Sequence, residues 1–471
     1  MTLTTLDGST KIVASDEIDG LRQRLRGPLL QSDSGGYEEA TRIWNGVHRK
    51  RPGLIAVCTG VADVIDTVNF AREHGLLVSI RGGGHNVAGT ALCDGGVAID
   101  LSRLRAVRVN PSTRIADVDP GATLGDLDRE TQAFGLVAPA GVVSTTGVAG
   151  LTLGGGIGWV RRKYGMTIDN LLSVDMVTAD GEFLTASDAE HPDLFWAIRG
   201  GGGNFGVITS FRFQLHPLGP LVYLAAPMYP IEHSSDILPR WRDFCDGTSD
   251  EVSSFCLFQT LPAAAAFPQA VWNRGVVALP TVYAGSVEDG QKALQPLREM
   301  GEPVLDLSGP IPFTALQQAF DWLFPSGGRY YWKTTTLPTL DHRAMATVAE
   351  IGASRSSPGT VVGVWQMGGA LARVADDATG YGPRSDPWTV NVDASWTDAI
   401  EDDRHIAFAR DAWTRLQAVS SGGMYLHYGS LEKEDQIKAA YGKNYGRLVE
   451  IKTRYDPMNL FRVNQNIRPS A

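Results

Sequence analysis

Between Thr131 and Val160 the chain carries no charged side chain, and eight of those residues are glycine. An uncharged run of this length could span a bilayer. A membrane helix must satisfy its backbone internally, however, and Pro139, the glycines and the Ser144-Thr145-Thr146 cluster would interrupt it. The stretch therefore reads as buried loop backbone with a large ligand close against it. Glycine lets N–H groups approach such a ligand without a Cβ in the way.

Two further glycine segments have the same texture. Arg81-Gly82-Gly83-Gly84-His85-Asn86 follows an apolar strand expected at Leu77–Ile80. Consecutive glycines can form an anion-binding nest of backbone N–H groups, to which Arg81 would add charge, and a diphosphate suits that. A tight turn with a surface histidine is the plainer alternative. Gly201-x-Gly203-x-x-Gly206 matches the dinucleotide fingerprint as a string only. That fingerprint follows a strand and opens a helix, with an acidic residue about 20 positions on. Here a helix precedes, a strand follows, and no Asp or Glu lies between Gly206 and Pro220. The Val142–Gly147 loop continues through Gly150 to Gly154-Gly155-Gly156-x-Gly158. Three segments converging on one extended cofactor is the economical account. No P-loop lysine, HExxH or GxSxG nucleophile elbow accompanies them.

Length and charge narrow the function classes. A chain of 471 residues with 43% apolar and 20% charged residues is an ordinary globular protein of several domains. A net charge of −10 argues against nucleic acid or an anionic membrane surface as a partner, since both want a basic face. Cys58, Cys93, Cys245 and Cys256 show no CxxC spacing, so neither a disulfide framework nor a metal site is expected. Met1–Ser15 lacks a basic region followed by an apolar core, so a cytoplasmic location is expected.

The elements point to an α+β chain. The N-terminal half alternates short strands with helices. One helix over Ala62–His74 is capped by Thr59 and stopped by Gly75. Strands are expected at Val97–Leu101, Arg105–Val109 and Ile115–Val118. A helix opens at Thr123 and Asp126, and a hairpin turns at Asp180-Gly181. A short helix over Leu194–Arg199 precedes a strand at Val207–Leu215. Beyond Pro217–Pro220 the glycine runs stop. Strands at Val276–Leu279, Tyr330–Thr336 and Gly359–Met367 then alternate with amphipathic helices at Val287–Met300 and Asp403–Val419. This reads as a second unit with a mainly antiparallel sheet. One more helix, Glu434–Tyr441 running on to Arg454, precedes Tyr455-Asp456-Pro457 and Asn464-Gln465-Asn466.

These motifs carry a resemblance. The Arg81–Asn86 string, the Ala140–Gly147 loop with Gly154–Gly156, the Arg199–Gly206 run and the Tyr455–Asn466 tail resemble the berberine bridge enzyme-like group. These are FAD-linked oxidases of the vanillyl-alcohol oxidase/p-cresol methylhydroxylase (PCMH) superfamily. The resemblance covers about residue 40 to the C-terminus. It implies a two-part FAD-binding domain at 1–218, with its PCMH-type core at about 47–218. A substrate-binding domain with a helix-covered antiparallel sheet follows at 219–424, and 425–471 returns to the FAD domain. Flavin contacts would come from Arg81, Gly82, Gly83, Gly84, His85 and Asn86. Further contacts would be Gly141, Val142, Ser144, Thr145, Thr146, Gly147, Gly150, Gly154, Gly155, Gly156, Gly206, Val207, Asn464 and Asn466.

Two departures from the group matter. Relatives often hold the flavin through a histidine and a cysteine; here Val143 stands at the cysteine's place, leaving His85 as the covalent link. Relatives often carry Tyr-x-Asn near the end of the substrate domain, where this chain has Tyr425-Leu426-His427-Tyr428. The catalytic base is therefore expected among Tyr425, His427 and Tyr428; the plainer reading makes the two tyrosines strand core. Trp365 and Tyr381 are candidate substrate-pocket residues, or ordinary packing aromatics. Thr146 is expected to shape the space for O2. The implied activity is an oxidase for a small organic substrate or natural-product intermediate. A base takes a proton while hydride goes to flavin N5, and O2 becomes H2O2. A dehydrogenase of the same fold and a non-catalytic flavin-binding protein are the alternatives. Oligomeric state is not legible.

Overall fold

The computed structural model describes residues 1–426, 428–430 and 433–470. Its fold is α+β. A four-stranded sheet is built from Leu29–Leu30, Leu54–Val57, Val97–Asp100 and Val78–Arg81, in that spatial order. The last three strands run parallel, because Val61–His74 forms the crossover helix between two of them. That helix ends as expected, with Gly75 in the left-handed region at φ 65°. Its start differs: Gly60 takes the cap position, and Thr59 instead donates to the Asp63 carboxylate.

A second, antiparallel sheet orders its strands Phe183–Ser187, Leu171–Val177, Val207–Gln214, Ile115–Val118 and Val107–Asn110. The hairpin at Asp180-Gly181 joins the first pair, with Val177 opposite Phe183. Thr123 caps the Leu124–Gln132 helix and shares a reciprocal capping box with Asp126.

The chain then enters a ten-stranded antiparallel sheet. Its nine-residue strand Val252–Thr260 pairs with Val361–Gln366, which pairs with Trp388–Trp396, which pairs with Arg329–Leu337. Alternation gives this sheet two apolar faces. Cys256, Phe258, Val362, Val364, Val390 and Val392 pack with the helices Ser234–Asp246, Val287–Arg298, His342–Ala353 and Asp402–Gln417. Phe255, Leu257, Trp365, Tyr330 and Trp332 face the other way, into the cluster that holds Val142, Val143 and Tyr425.

The tail helix expected as one piece is two, Glu434–Tyr441 and Tyr445–Tyr455, broken at Gly442 with φ 53°. After them the chain crosses back to the first sheets. Asn204 Nδ2 donates to the Gln465 carbonyl, and the Ile467 N–H donates to Asn204 Oδ1. Lys452 is fully buried and donates to Asp456 Oδ2 and to the Asn204 and Phe461 carbonyls. No helix among the described residues is long and apolar enough to cross a membrane.

Candidate active site

The three glycine segments meet. A cavity runs between the Gly82–Asn86 loop, the Gly141–Leu153 stretch, the turn at Gly202–Gly206, the tail around Asn464 and the inner face of the ten-stranded sheet. Its walls are mostly apolar. Among the described residues none of its lining side chains is a lysine or arginine, and the ionisable ones are His85, Asp393, Tyr425 and Tyr428. A phosphate there would be met by backbone N–H groups rather than by side-chain cations.

Gly83 and Gly147 bring two of the loops into direct backbone contact. A Cβ on Gly83 would stand 2.5 Å from the Gly147 Cα, and one on Gly147 would stand 2.6 Å from the Gly83 nitrogen. Gly156, at φ 78°, donates its N–H to the Tyr425 hydroxyl across 3.1 Å. Gly150 has open space where a Cβ would be.

His85 follows the nest at Gly84, whose φ is 67°. Its imidazole stacks on Trp44, with ring centroids 4.3 Å apart and planes 18° from parallel. Trp44 in turn stacks on Tyr330 at 4.0 Å and 8°. Nε2 of His85 lies 3.3 Å from the Thr145 hydroxyl. The apolar surroundings push the His85 pKa down to about 4, so the ring is neutral at pH 7. A neutral imidazole keeps one unprotonated nitrogen as a nucleophile.

At the far end, Tyr425 and Tyr428 lie outside any strand, unlike the plainer sequence reading; the Tyr428 N–H closes onto the Tyr425 carbonyl. Tyr428 stacks on Trp332 at 4.8 Å and meets Trp365 edge-on. Its hydroxyl donates to Asp393 Oδ2 across 3.2 Å. Asp393 is 3% exposed, and Oδ1 of the same carboxyl has no partner among the described residues. Burial raises its pKa well above the ordinary carboxylate range, partly opposed by the bond from Tyr428. Burial also pushes Tyr425 up to about 12.

Of the residues expected to contact flavin, line the substrate pocket or act in catalysis, fifteen line the cavity. They are Gly82, Gly83, Gly84, His85, Asn86, Gly141, Val142, Thr146, Gly147, Gly150, Gly206, Asn464, Trp365, Tyr425 and Tyr428. Others stand behind the wall. Arg81 turns its guanidinium to the Ala40 carbonyl and to Asp100 at 3.7 Å. Ser144 gives both its N–H and its hydroxyl to Asp321. Gly154 and Tyr381 border a separate small void, and the Tyr381 ring lies 6.2 Å from that of Tyr425. A Cβ on Gly155 would meet Met166 and Tyr381, and Val207 is in the core beneath the first sheet. Asn466 keeps a buried Oδ1 without a partner among the described residues, as does Asn464. His427 lies outside the described residues.

Comparison with known proteins agrees with this geometry. Residues 52–187 match the family model of the FAD binding domain, and 425–468 match that of berberine and berberine like proteins. An FAD-linked oxidoreductase of Dictyostelium discoideum is 30% identical over 468 residues, 98% of this chain and 99% of that protein. The chain belongs to the berberine bridge enzyme-like family of FAD-linked oxidoreductases. It is therefore an enzyme, and FAD is its cofactor. (R)-6-hydroxynicotine oxidase of Paenarthrobacter nicotinovorans is 30% identical over 462 residues, 95% of this chain and 98% of that one. The crystal structure of 6-hydroxy-D-nicotine oxidase from Arthrobacter nicotinovorans superposes with TM-score 0.85 at 27% identity, covering 95% of this chain and 98% of that one. Physcomitrella patens BBE-like 1 shares the fold, with TM-score 0.86 at 21% identity over 96% of this chain and 99% of that one.

The family's cofactor fits these residues. Bare backbone lines the loops, a neutral histidine faces the cavity, and two tail asparagines carry orphaned oxygens. Sequence reasoning missed Trp44, Tyr330, Trp332 and Asp393. Asp393 sits in Trp-Thr-Val-Asn-Val-Asp-Ala-Ser-Trp, whose alternation looks half-exposed although all nine residues are buried.

Proposed function

We propose that this enzyme is an oxidase whose FAD is joined covalently to His85 alone. It takes a proton and a hydride from a small, largely apolar alcohol or amine and passes the electrons to O2 as H2O2. The neutral His85 ring beside the glycine nest carries the reading. Val143 has no nucleophilic atom, and all four cysteines are buried elsewhere, none of them on the cavity wall.

FAD, once bound, supplies the hydride acceptor. The protein supplies position, dryness and the proton path. Trp332, Trp365, Leu257 and Phe324 form apolar walls that exclude water and suit a flat substrate. Asp393 is the group best matched to taking the proton. A carboxyl raised by burial works as a base nearer neutral pH than an ordinary one. The Tyr428 hydroxyl holds Oδ2, which leaves Oδ1 to accept a substrate O–H or N–H proton. Tyr425, pushed up to about 12, is the weaker base and suits a role as hydrogen-bond donor. Thr146 lines the cavity beside Gly147, where a small hydroxyl leaves room for O2.

The test is acid precipitation of the purified enzyme, with peroxide measured during turnover of an alcohol and amine panel. Yellow colour should stay in the wild-type pellet and pass to the supernatant in His85→Ala. Colour retained by His85→Ala overturns the histidyl link. Turnover with an artificial acceptor but no peroxide in air replaces the oxidase with a dehydrogenase.

A further inference from the structure

Trp44-Asn45-Gly46 joins the His85 loop to the ten-stranded sheet. On one side the Trp44 N–H donates to the Gly84 carbonyl across 3.0 Å, and Asn45 Nδ2 donates to the Val87 carbonyl across 2.7 Å. On the other side Trp44 Nε1 donates to the Phe324 carbonyl across 2.9 Å, and Asn45 Nδ2 also reaches the Tyr330 carbonyl across 2.9 Å. The Tyr330 N–H returns to Asn45 Oδ1, and the Gly46 N–H donates to the Gly328 carbonyl. Three residues thus hold both halves of the cavity at the point where His85 stands.

The rings repeat this connection. His85, Trp44 and Tyr330 pile face on face at 4.3 and 4.0 Å. Tyr330 is itself fixed, its hydroxyl donating to the Pro325 carbonyl. A histidine on a glycine-rich loop would otherwise turn about both of its side-chain bonds. The stack removes that freedom and leaves Nε2 at the Thr145 hydroxyl. Ordering a nucleophile before attack is worth far more in rate than in binding.

We infer that Trp44 is a positioning residue for covalent attachment of the flavin. The docked 324–330 segment acts through Trp44 to set His85 for that step, so attachment waits until the sheet has closed on the His85 loop. The inference rests on the histidyl link proposed above. The step forms one bond between an imidazole nitrogen and the flavin 8α carbon. The imidazole N–H proton and one methyl hydrogen, with its bonding electron pair, go to the ring system, which is left two-electron reduced. O2 then takes up those two electrons and two protons as H2O2.

The experiment reconstitutes flavin-free protein with FAD in air and follows covalent flavin by in-gel fluorescence after denaturation. Noncovalent affinity is read separately, from quenching at early times. Trp44→Ala should attach flavin about tenfold more slowly, with affinity within about twofold. Trp44→Phe, which keeps a stacking ring, should restore most of the rate. Tyr330→Ala should slow attachment severalfold alone and add nothing in the Trp44→Ala background, since its effect passes through Trp44. Equal rates in wild type and Trp44→Ala overturn the inference. So does loss of affinity and rate together in every variant, Trp44→Phe included, which would mark the stack as a general fold contact. No covalent flavin in the wild type would instead overturn the histidyl link.

Discussion

The Tyr428 hydroxyl donates to one oxygen of Asp393 across 3.2 Å, and the other oxygen, buried at the cavity wall, has no partner among the described residues. An unpaired buried carboxylate oxygen is costly, so a ligand hydrogen is the natural complement. Asp393→Asn should slow flavin reduction by substrate roughly 10²–10⁴-fold with flavin content unchanged, read by anaerobic stopped flow. Tyr428→Phe removes the one bond that favours the carboxylate. The acid limb of kcat/KM should then move to higher pH, because a base loses activity as pH falls through its pKa. A full rate in Asp393→Asn with a slow Tyr425→Phe would give the proton to Tyr425.

The contact between Gly83 and Gly147 allows no side chain on either residue. Gly83→Ala must push the touching backbones away from each other and should cost both thermal stability and FAD binding. Gly150→Ala meets nothing in the protein and replaces a glycine inside the Val148–Leu153 helix. It should stabilise the flavin-free protein by about 0.5–1 kcal/mol while weakening FAD, because the methyl enters the cavity. Melting curves with and without FAD separate the two effects.

Protonation of His85 links to stability in a defined window. Its pKa falls from 6.5 to about 4 on folding, so between those values the unfolded chain binds more protons than the folded one. Stability from this group is fully present above pH 6.5 and is lost as pH falls towards 4. Flavin-free His85→Asn should show a shallower fall in Tm across that range than the flavin-free wild type. Identical slopes would mean that His85 titrates normally.

Thr146 lines the cavity, and its carbonyl is occupied by the Leu124 N–H. Its side chain is thus the variable element on that wall. Thr146→Leu should leave flavin reduction nearly unchanged and slow reoxidation in air-saturated buffer by about tenfold or more, on the order of other steric effects that close a reaction space. Equal reoxidation would place the O2 path elsewhere.

The glycine motifs are legible in the sequence because their requirement is local. A nest, a left-handed turn or a backbone contact needs glycine whatever lies far away, so Gly82–Gly84 and Gly147 declare themselves. The capping box at Thr123 and Asp126 is local in the same way. Trp44 and Asp393 are different. Trp44 gains its role from Phe324 and Tyr330, nearly 300 positions on, and nothing near it in sequence hints at either. Asp393 alternates with Val392 and Ala394 as a solvent-facing strand residue would. Only the fold shows that its face is covered, with Tyr428 closing over it. Arg81 is not the ready cation for the nest that its neighbours suggest. The neighbouring strand Val97–Asp100 brings up Asp100, its register partner, and the guanidinium turns to the carboxylate side.

The returning tail has a consequence for how the protein is made. Arg462 donates to the Leu6 carbonyl, and Gln465 and Ile467 close on Asn204. Arg462 is thus tied to a residue 456 positions before it, and Gln465 to one 261 positions before it. At roughly 5–20 residues per second, the His85 loop waits on the order of tens of seconds before Asn464 exists to complete its site. Until then the cavity lacks the part of its wall that Val463, Asn464 and Gln465 supply.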